Sequence, residues 1–219
     1  MRNRTLLVAV ATASFMALGL TSRASAALVN PSFESPDASA GDVNGSTGWG
    51  GFNFFLTTAT QHNTGAQSLK LFGDFTTGGA SGANQSIPAT PGTSYTASAF
   101  ALDATADPLQ GNNFGVLQLI FLNASNAAIQ PATESVHFTA ASPKDVWTPL
   151  TATAVAPAGT VSAEIQLLHV QLNSPVTGGS VFYDDAALGA TVPEPATVGA
   201  LGLVGLTSLL ARRRRRGVM

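Results

Sequence analysis

The chain has no cysteine among its 219 residues, which removes disulfide scaffolds, thiolate zinc sites and thiol nucleophiles from consideration. Charge is scarce, at 10% of residues against 45% hydrophobic, so the chain is too apolar for a disordered tail. Positive charge is almost missing from the middle. Between residues 27 and 191 there is no arginine, and Lys70 and Lys144 face eleven acids, a formal charge of −9. A surface that acidic repels a phosphate backbone, which excludes nucleic acid as a partner. Catalytic signatures are missing too. His62, His137 and His169 form no H-x-x-x-H or H-E-x-x-H pair, and neither a G-x-S-x-G elbow nor a phosphate loop occurs. The chain reads as a non-enzyme. Two carboxylates at glycosidase separation are a three-dimensional matter that the sequence leaves open.

What is present divides the chain into three. Arg2 and Arg4 precede a run from Leu6 to Leu20 that is apolar apart from Thr12 and Ser14. Ala24, Ser25 and Ala26 then fit the small-x-small cleavage rule ahead of Ala27. Residues 1–26 are therefore expected to be a secretory signal peptide, engaged by the secretion machinery and cut by signal peptidase. The mature chain would start at Ala27, outside the cytoplasm. At the other end Pro193, Glu194 and Pro195 precede an uncharged apolar run, 196–211, which is followed by Arg212, Arg213, Arg214, Arg215 and Arg216. As a helix that run would span about 24 Å, short of a ~30 Å hydrocarbon core. Snorkelling arginines and local thinning make a transmembrane helix workable. Arginines after the helix stay inside, so the body lies outside.

At these residues the C-terminus, 192–219, resembles the PEP-CTERM sorting signal of exported bacterial proteins: Pro-Glu-Pro, short apolar helix, arginine cluster, in that order. The resemblance implies an exosortase as partner, a membrane protease cutting near Pro193–Pro195. It implies a protein held briefly at the inner membrane, then released or attached at the cell surface, often alongside exopolysaccharide.

The body, 27–191, is the size of one domain. It carries short runs rich in Val, Ile, Phe and Thr between Gly, Pro, Asn and Ser turns. Expected strands are Phe52–Thr60, Gln67–Phe72, Ser94–Asp103, Phe114–Leu122, Val136–Thr139, Val146–Val155, Thr160–Leu172 and Val181–Leu188. In the seventh, Val161, Ala163, Ile165 and Leu167 alternate with Ser162, Glu164 and Gln166, a half-buried period of two. Eight or more strands at this spacing predict an all-β fold, an antiparallel β-sandwich.

Leu28-Val29-Asn30-Pro31-Ser32-Phe33-Glu34 opens the body, Ser68-Leu69-Lys70-Leu71 lies mid-chain, and Val181-Phe182-Tyr183-Asp184-Asp185-Ala186 closes it. This order is similar to galactose-binding-like jelly rolls, especially bacterial carbohydrate-binding modules. The resemblance implies that Glu34, Asp184 and Asp185 hold a structural Ca²⁺ with loop carbonyls around 63–70; the alternative pairs Glu34 with Lys70. It also implies that Trp49 and Trp147 pack in the core, a reading that outweighs their use as sugar-stacking platforms. Phe54, Phe55 and Tyr183 are the candidate ligand contacts. Phe52 and Phe54 share one face of a strand and Phe55 the other, so at least one is expected in solvent.

Two functions remain open on these residues. One is a non-catalytic surface protein that binds extracellular polysaccharide. The other is a structural surface or biofilm-matrix protein with no small-molecule site, which the 7% aromatic content favours slightly.

Overall fold

The computed structural model describes residues 27–73, 78–172 and 178–191. Residues 1–26 and 192–219, with Ala24, Ala26, the 196–211 run and the arginine cluster, lie outside the described residues. No helix of the described residues is long and apolar enough to cross a membrane.

Every strand pair of the described residues is antiparallel. The strands are β1 (Val43–Asn44), β2 (Gly50–Phe52), β3 (Phe55–Thr58), β4 (Ser68–Phe72), β5 (Ala80–Pro88) and β6 (Ser94–Leu102). They continue with β7 (Phe114–Leu122), β8 (Ala128–Glu134), β9 (Phe138–Thr139), β10 (Thr148–Val155), β11 (Ser162–Val170) and β12 (Ser180–Ala190). One sheet runs β1-β3-β4-β12-β6-β10 and the other β2-β5-β11-β7-β8, with β9 also on β7.

Alternation along each strand decides what lies between the sheets. Leu69 and Leu71 of β4, Val181 and Tyr183 of β12, and Ala97, Ala99 and Ala101 of β6 fill the core from the first sheet. Ala163, Ile165 and Leu167 of β11 meet them with Leu117, Leu119 and Phe121 of β7. Each large aliphatic side chain buried this way contributes about 1.5–3 kcal/mol. Val161, expected on this inner face, precedes β11 and is 47% exposed.

All eight expected runs contain strand, but Phe52–Thr60 is not one strand: Phe52 ends β2 in one sheet and Phe55 opens β3 in the other, so Phe52 and Phe54 do not share a strand face. β1, β5 and β8 were not expected. Ala80-Ser81-Gly82-Ala83-Asn84-Gln85-Ser86 contains no β-branched or aromatic residue, yet it pairs along its length with β11. A partner on each side, β2 and β11, overrides weak propensity. Gly82 is required there: a Cβ would lie 2.7 Å from both the Phe52 ring and Leu168. β8 carries Pro131, tolerated because β8 is an edge.

Candidate functional site

The β12 strand shifts register between Asp184 and Ala187, and Asp185 sits at φ +49°. Such a bulge redirects side chains. It lets both aspartates face one loop, Gln61–Gln67, together with Glu34 from the opening segment. Asp184 Oδ2 accepts the Asn63 and Thr64 N–H groups at 2.7 and 3.1 Å, and its Oδ1 accepts Asp185 N–H at 2.7 Å. Asp185 accepts from Ser32 Oγ (2.8 Å), Thr64 Oγ1 (2.5 Å) and Asn63 Nδ2 (2.7 Å). Glu34 Oε1 accepts the Ala66 and Gln67 N–H groups at 3.0 and 3.1 Å. Gly65, at φ +64°, leaves room: a Cβ there would meet Glu34 Oε1 at 2.1 Å. Lys70 pairs with Asp107 at 3.1 Å, not with Glu34.

The three acids thus converge on one loop, but the donor set does not suit calcium. The ion needs six to eight oxygen lone pairs. Here the loop presents N–H and O–H groups to the carboxylates where a cation would require carbonyls. Among the described residues no three acids or histidines are grouped to hold a metal. The cluster acts as a latch, tying the first segment and last strand to the loop through charge-assisted hydrogen bonds. Melting in millimolar calcium and in chelator is expected to give the same midpoint within about 1 °C. A calcium-induced rise of several degrees, the signature of a cation bound only by the native state, would overturn this reading.

Burial pushes the Asp184 carboxyl up to about 6, against the pull of the N–H groups of Asn63, Thr64 and Asp185, while the Asp185 charge adds to the rise. Burial also opposes ionisation of Asp185, but hydrogen bonds from Thr64, Asn63 and Ser32 outweigh it and hold that group below the usual value.

The aromatic candidates divide. Phe54 is 43% exposed and stacks on Phe72, ring centroids 5.0 Å apart. Phe55 is half-buried and packs against the core. Tyr183 is not a surface residue at all. It is fully buried, and its hydroxyl donates to the Leu168 carbonyl at 2.8 Å. Strand alternation puts it inside with Val181. Trp49 packs in the core, 4.9 Å from the Phe33 ring, whereas Trp147 is half-buried on the outer face of the sheet that holds β12, where it covers Phe182, Leu102 and Ala104. Their indole N–H groups donate to the carbonyls of Asn30 and His62.

Two surfaces could receive a ligand. The first is a cleft of about 360 Å³ lined by Leu56, Lys70, Phe72, Asp107, Gly178 and Gly179. Lys70 and Asp107 neutralise each other across it. The second is the outer face of the β2-β5-β11-β7-β8 sheet. Its register sets Gln166 opposite both Asn84 and Gln118, and Gln118 opposite Glu134. Four polar side chains therefore form one row across four strands, about 14 Å long at ordinary strand spacing.

Asn84 Nδ2 donates to Glu164 Oε2 at 2.9 Å, and Gln118 Nε2 donates to Glu134 Oε1 at 2.7 Å. The Gln166 amide, between them and half-buried, makes no hydrogen bond within the described residues. On one side of the row Phe52, 39% exposed, lies over Gly82. On the same side, two residues further along the register, His137 stacks on Phe114 with ring centroids 4.0 Å apart. His137 Nε2 also lies 3.2 Å from Glu134 Oε2. That hydrogen bond, with the one from Gln118, holds the Glu134 carboxyl below its usual range. Sequence reading placed Glu164 and Gln166 on a polar strand face, but their alignment with Asn84, Gln118 and Glu134 depends on register. Only the adjacent polar positions were visible.

Residues 191–216 match the model of the PEP-CTERM protein-sorting motif. The chain carries a PEP-CTERM sorting motif. The motif marks an exported protein and includes Pro193, Glu194, Pro195 and the arginine cluster. A comparison with curated proteins found no match. Among solved structures, a cyclase from Fischerella sp. TAU in complex with 4-(1H-indol-3-yl)butan-2-one is similar over 78% of this chain and all of its own. Its TM-score is 0.57 and its identity 16%. The enzymatically active domain of bacteriophage CBA120 tailspike protein 4 matches 74% of this chain at TM-score 0.50 and 15% identity; the match spans only 21% of that protein. The Clostridium thermocellum xylanase 10B CBM22-1–GH10 modules, complexed with xylohexaose, match 76% of this chain and 28% of their own, with TM-score 0.50 and 15% identity. Carbohydrate-binding modules of families 22 and 61 are also among the structural neighbours. At these identities the likeness is one of fold, and the fold carries both binding and catalytic members.

Proposed function

We propose that the PEP-CTERM protein is a non-catalytic surface or extracellular protein whose sandwich binds a neutral polysaccharide on the outer face of the β2-β5-β11-β7-β8 sheet. The observation that carries this reading is the in-register row Asn84–Gln166–Gln118–Glu134. Primary amides donate and accept at once, as sugar hydroxyls do, so a row of them suits a ligand built of hydroxyls. Phe52 and the His137–Phe114 stack add an apolar flank along one side for C–H faces. The two glutamates on this face, and the acidic body around it, disfavour a uronate-rich chain. The Clostridium thermocellum modules, 28% of which match this fold, are complexed with xylohexaose, a ligand of the same class. Phe54 stands over Phe72 beside the other sheet's cleft and is not part of this row.

The non-catalytic reading rests on where the titratable groups sit. Asp184, the carboxyl raised towards neutrality, faces the Asn63–Thr64 backbone and does not line the cleft. Export would follow the sequence at both ends: signal peptidase at Ala26–Ala27, a transient inner-membrane anchor through 196–211, and exosortase cleavage near Pro193–Pro195. The protein would then remain at the cell surface or leave it.

The test is affinity electrophoresis of the full chain against a panel of neutral and uronate-containing polysaccharides. Saturable retardation by a neutral glycan is expected. Gln118→Ala with Gln166→Ala should weaken it about 100-fold, roughly tenfold for each lost hydrogen-bonding group, with an unchanged melting midpoint. Binding that ignores both substitutions, or that prefers uronates, would overturn the assignment. No binding to any glycan would favour the structural matrix role.

A further inference from the structure

Among the described residues the two sheets end on four edge strands, and three of them are blunted. β1 has two residues and β2 three. β8 is interrupted by Pro131 and by a register shift opposite Leu119 and Phe121. Short edges, proline and irregular register are the usual protections against edge-to-edge pairing. β10 has little of this. It runs eight residues, Thr-Pro-Leu-Thr-Ala-Thr-Ala-Val, in unbroken register with β6, with no charged side chain. Its one proline, Pro149, stands next to its first residue.

The direction of its backbone follows from two hydrogen bonds. Ala156 N–H donates to the Thr93 carbonyl at 2.9 Å, while Thr191 N–H donates to the Ser94 carbonyl at 2.9 Å. Alternation along β6 then turns Tyr95, Ala97, Ala99 and Ala101 towards β10, and Ser94, Thr96 and Ser98 towards β12. In β10 the partners of the first set are Thr148, Leu150, Ala152 and Ala154. The N–H groups of Thr151, Thr153 and Val155, and the carbonyls of those three and Pro149, therefore point away from the sheet. All four residues are exposed.

We propose that β10 is a self-association edge, on which a second copy of this chain adds its own β10 antiparallel about Ala152. One feature of the strand selects a second copy over an unrelated peptide, and a second sets where two copies can meet. Around Ala152 the pattern of polar and apolar residues is the same in both directions: Thr151 meets Thr153 of the other copy, the apolar Leu150 meets Ala154, and the apolar Pro149 meets Val155. Each outward N–H of Thr151 and Thr153 then finds an outward carbonyl. Val155 N–H finds the Pro149 carbonyl, and Pro149 lacks a donor only at the ends of the ladder. Val155, 62% exposed in one chain, gains apolar cover from Pro149 of the other. The second feature is charge. Two bodies of formal charge −9 repel, and an edge without acids is where they can approach most closely. The product joins two six-stranded sheets into one, leaving the polar row on the opposite sheet.

The test is sedimentation of the full chain in neutral detergent over a hundredfold concentration range, with amide exchange measured in parallel. A concentration-dependent dimer is expected, and in it the amides of Thr151, Thr153 and Val155 exchange roughly tenfold or more slowly than in dilute monomer. Thr151→Lys with Thr153→Lys sets like charges opposite each other and should return the chain to monomer. The Leu150 and Ala152 amides, bonded to β6, should stay protected in that variant and so report an intact fold. A monomer at every concentration would overturn the proposal. So would a dimer that survives the double lysine variant, or one in which the three outward amides exchange freely. Glycan retardation is read separately, so failure of either property leaves the other standing.

Discussion

Tyr183→Ala is expected to destabilise the domain by about 3–5 kcal/mol, the range for emptying a large aromatic position in a packed core. For a domain of this size that lowers the melting midpoint by roughly 10 °C or more. Two contributions add. The ring lies wholly between the sheets, and the Leu168 carbonyl, which accepts its hydroxyl at 2.8 Å, loses that partner. Tyr183→Phe separates them: it keeps the ring and should cost about 1 kcal/mol. Gly115 gives an independent check. A Cβ there would lie 2.6 Å from the Tyr183 oxygen and 3.0 Å from Val181. Gly115→Ala should therefore be costly in the native chain and less so beside Tyr183→Phe, where the closest obstacle is gone. Were Tyr183 a ligand contact, Tyr183→Phe would shift glycan affinity and leave the melt alone; that result would falsify its place in the core.

The same residue shows how far the sequence could be read. Val181-Phe182-Tyr183-Asp184-Asp185 was legible as a strand, and its acids as a group meeting Glu34. A period of two cannot say which of its two faces points inward when both carry large side chains. Phe182, on the outer face, is itself covered by Trp147 and Ala104, so neither set looks like a solvent face. The bulge that turns Asp184 and Asp185 onto the same loop has no signature in residue type. Nor does β5, whose Ala, Ser, Gly and Asn fold into a strand only because neighbours pair with both its edges. The polar row suffered most from this gap. Asn84, Gln118, Glu134 and Gln166 come from four segments, and each alone is an ordinary outward-facing residue of a strand. Pairing register, a long-range property, makes them one surface.

Asp184 yields a pH effect of similar size, with a sign opposite to the common carboxylate pattern. Its folded value of about 6 stands above the ordinary 3.8, so between these limits the native state binds more protons than the unfolded chain. Stability from this group is complete below about pH 4 and is lost as pH rises through 6. Two units correspond to about 3 kcal/mol, or roughly 6–10 °C in midpoint between pH 4 and pH 7. Asp185 runs the other way. Held below 3.8 in the fold, it contributes above that pH and is lost as pH falls further. Asp37, Glu134 and Asp145, also lowered by their hydrogen bonds, share that direction. The melting midpoint should therefore peak between about pH 4 and 5 and decline towards neutrality. Asp184→Asn removes the declining limb and leaves a flat profile from pH 5 to 7. Above pH 6, where the native Asp184 is ionised, the variant also forfeits an acceptor, because an amide cannot accept all three of the N–H groups that the carboxylate accepts. A native chain with no decline over that interval would mean that the N–H groups of Asn63, Thr64 and Asp185 outweigh burial and keep Asp184 ionised. The latch would then be a fixed negative charge held by backbone dipoles.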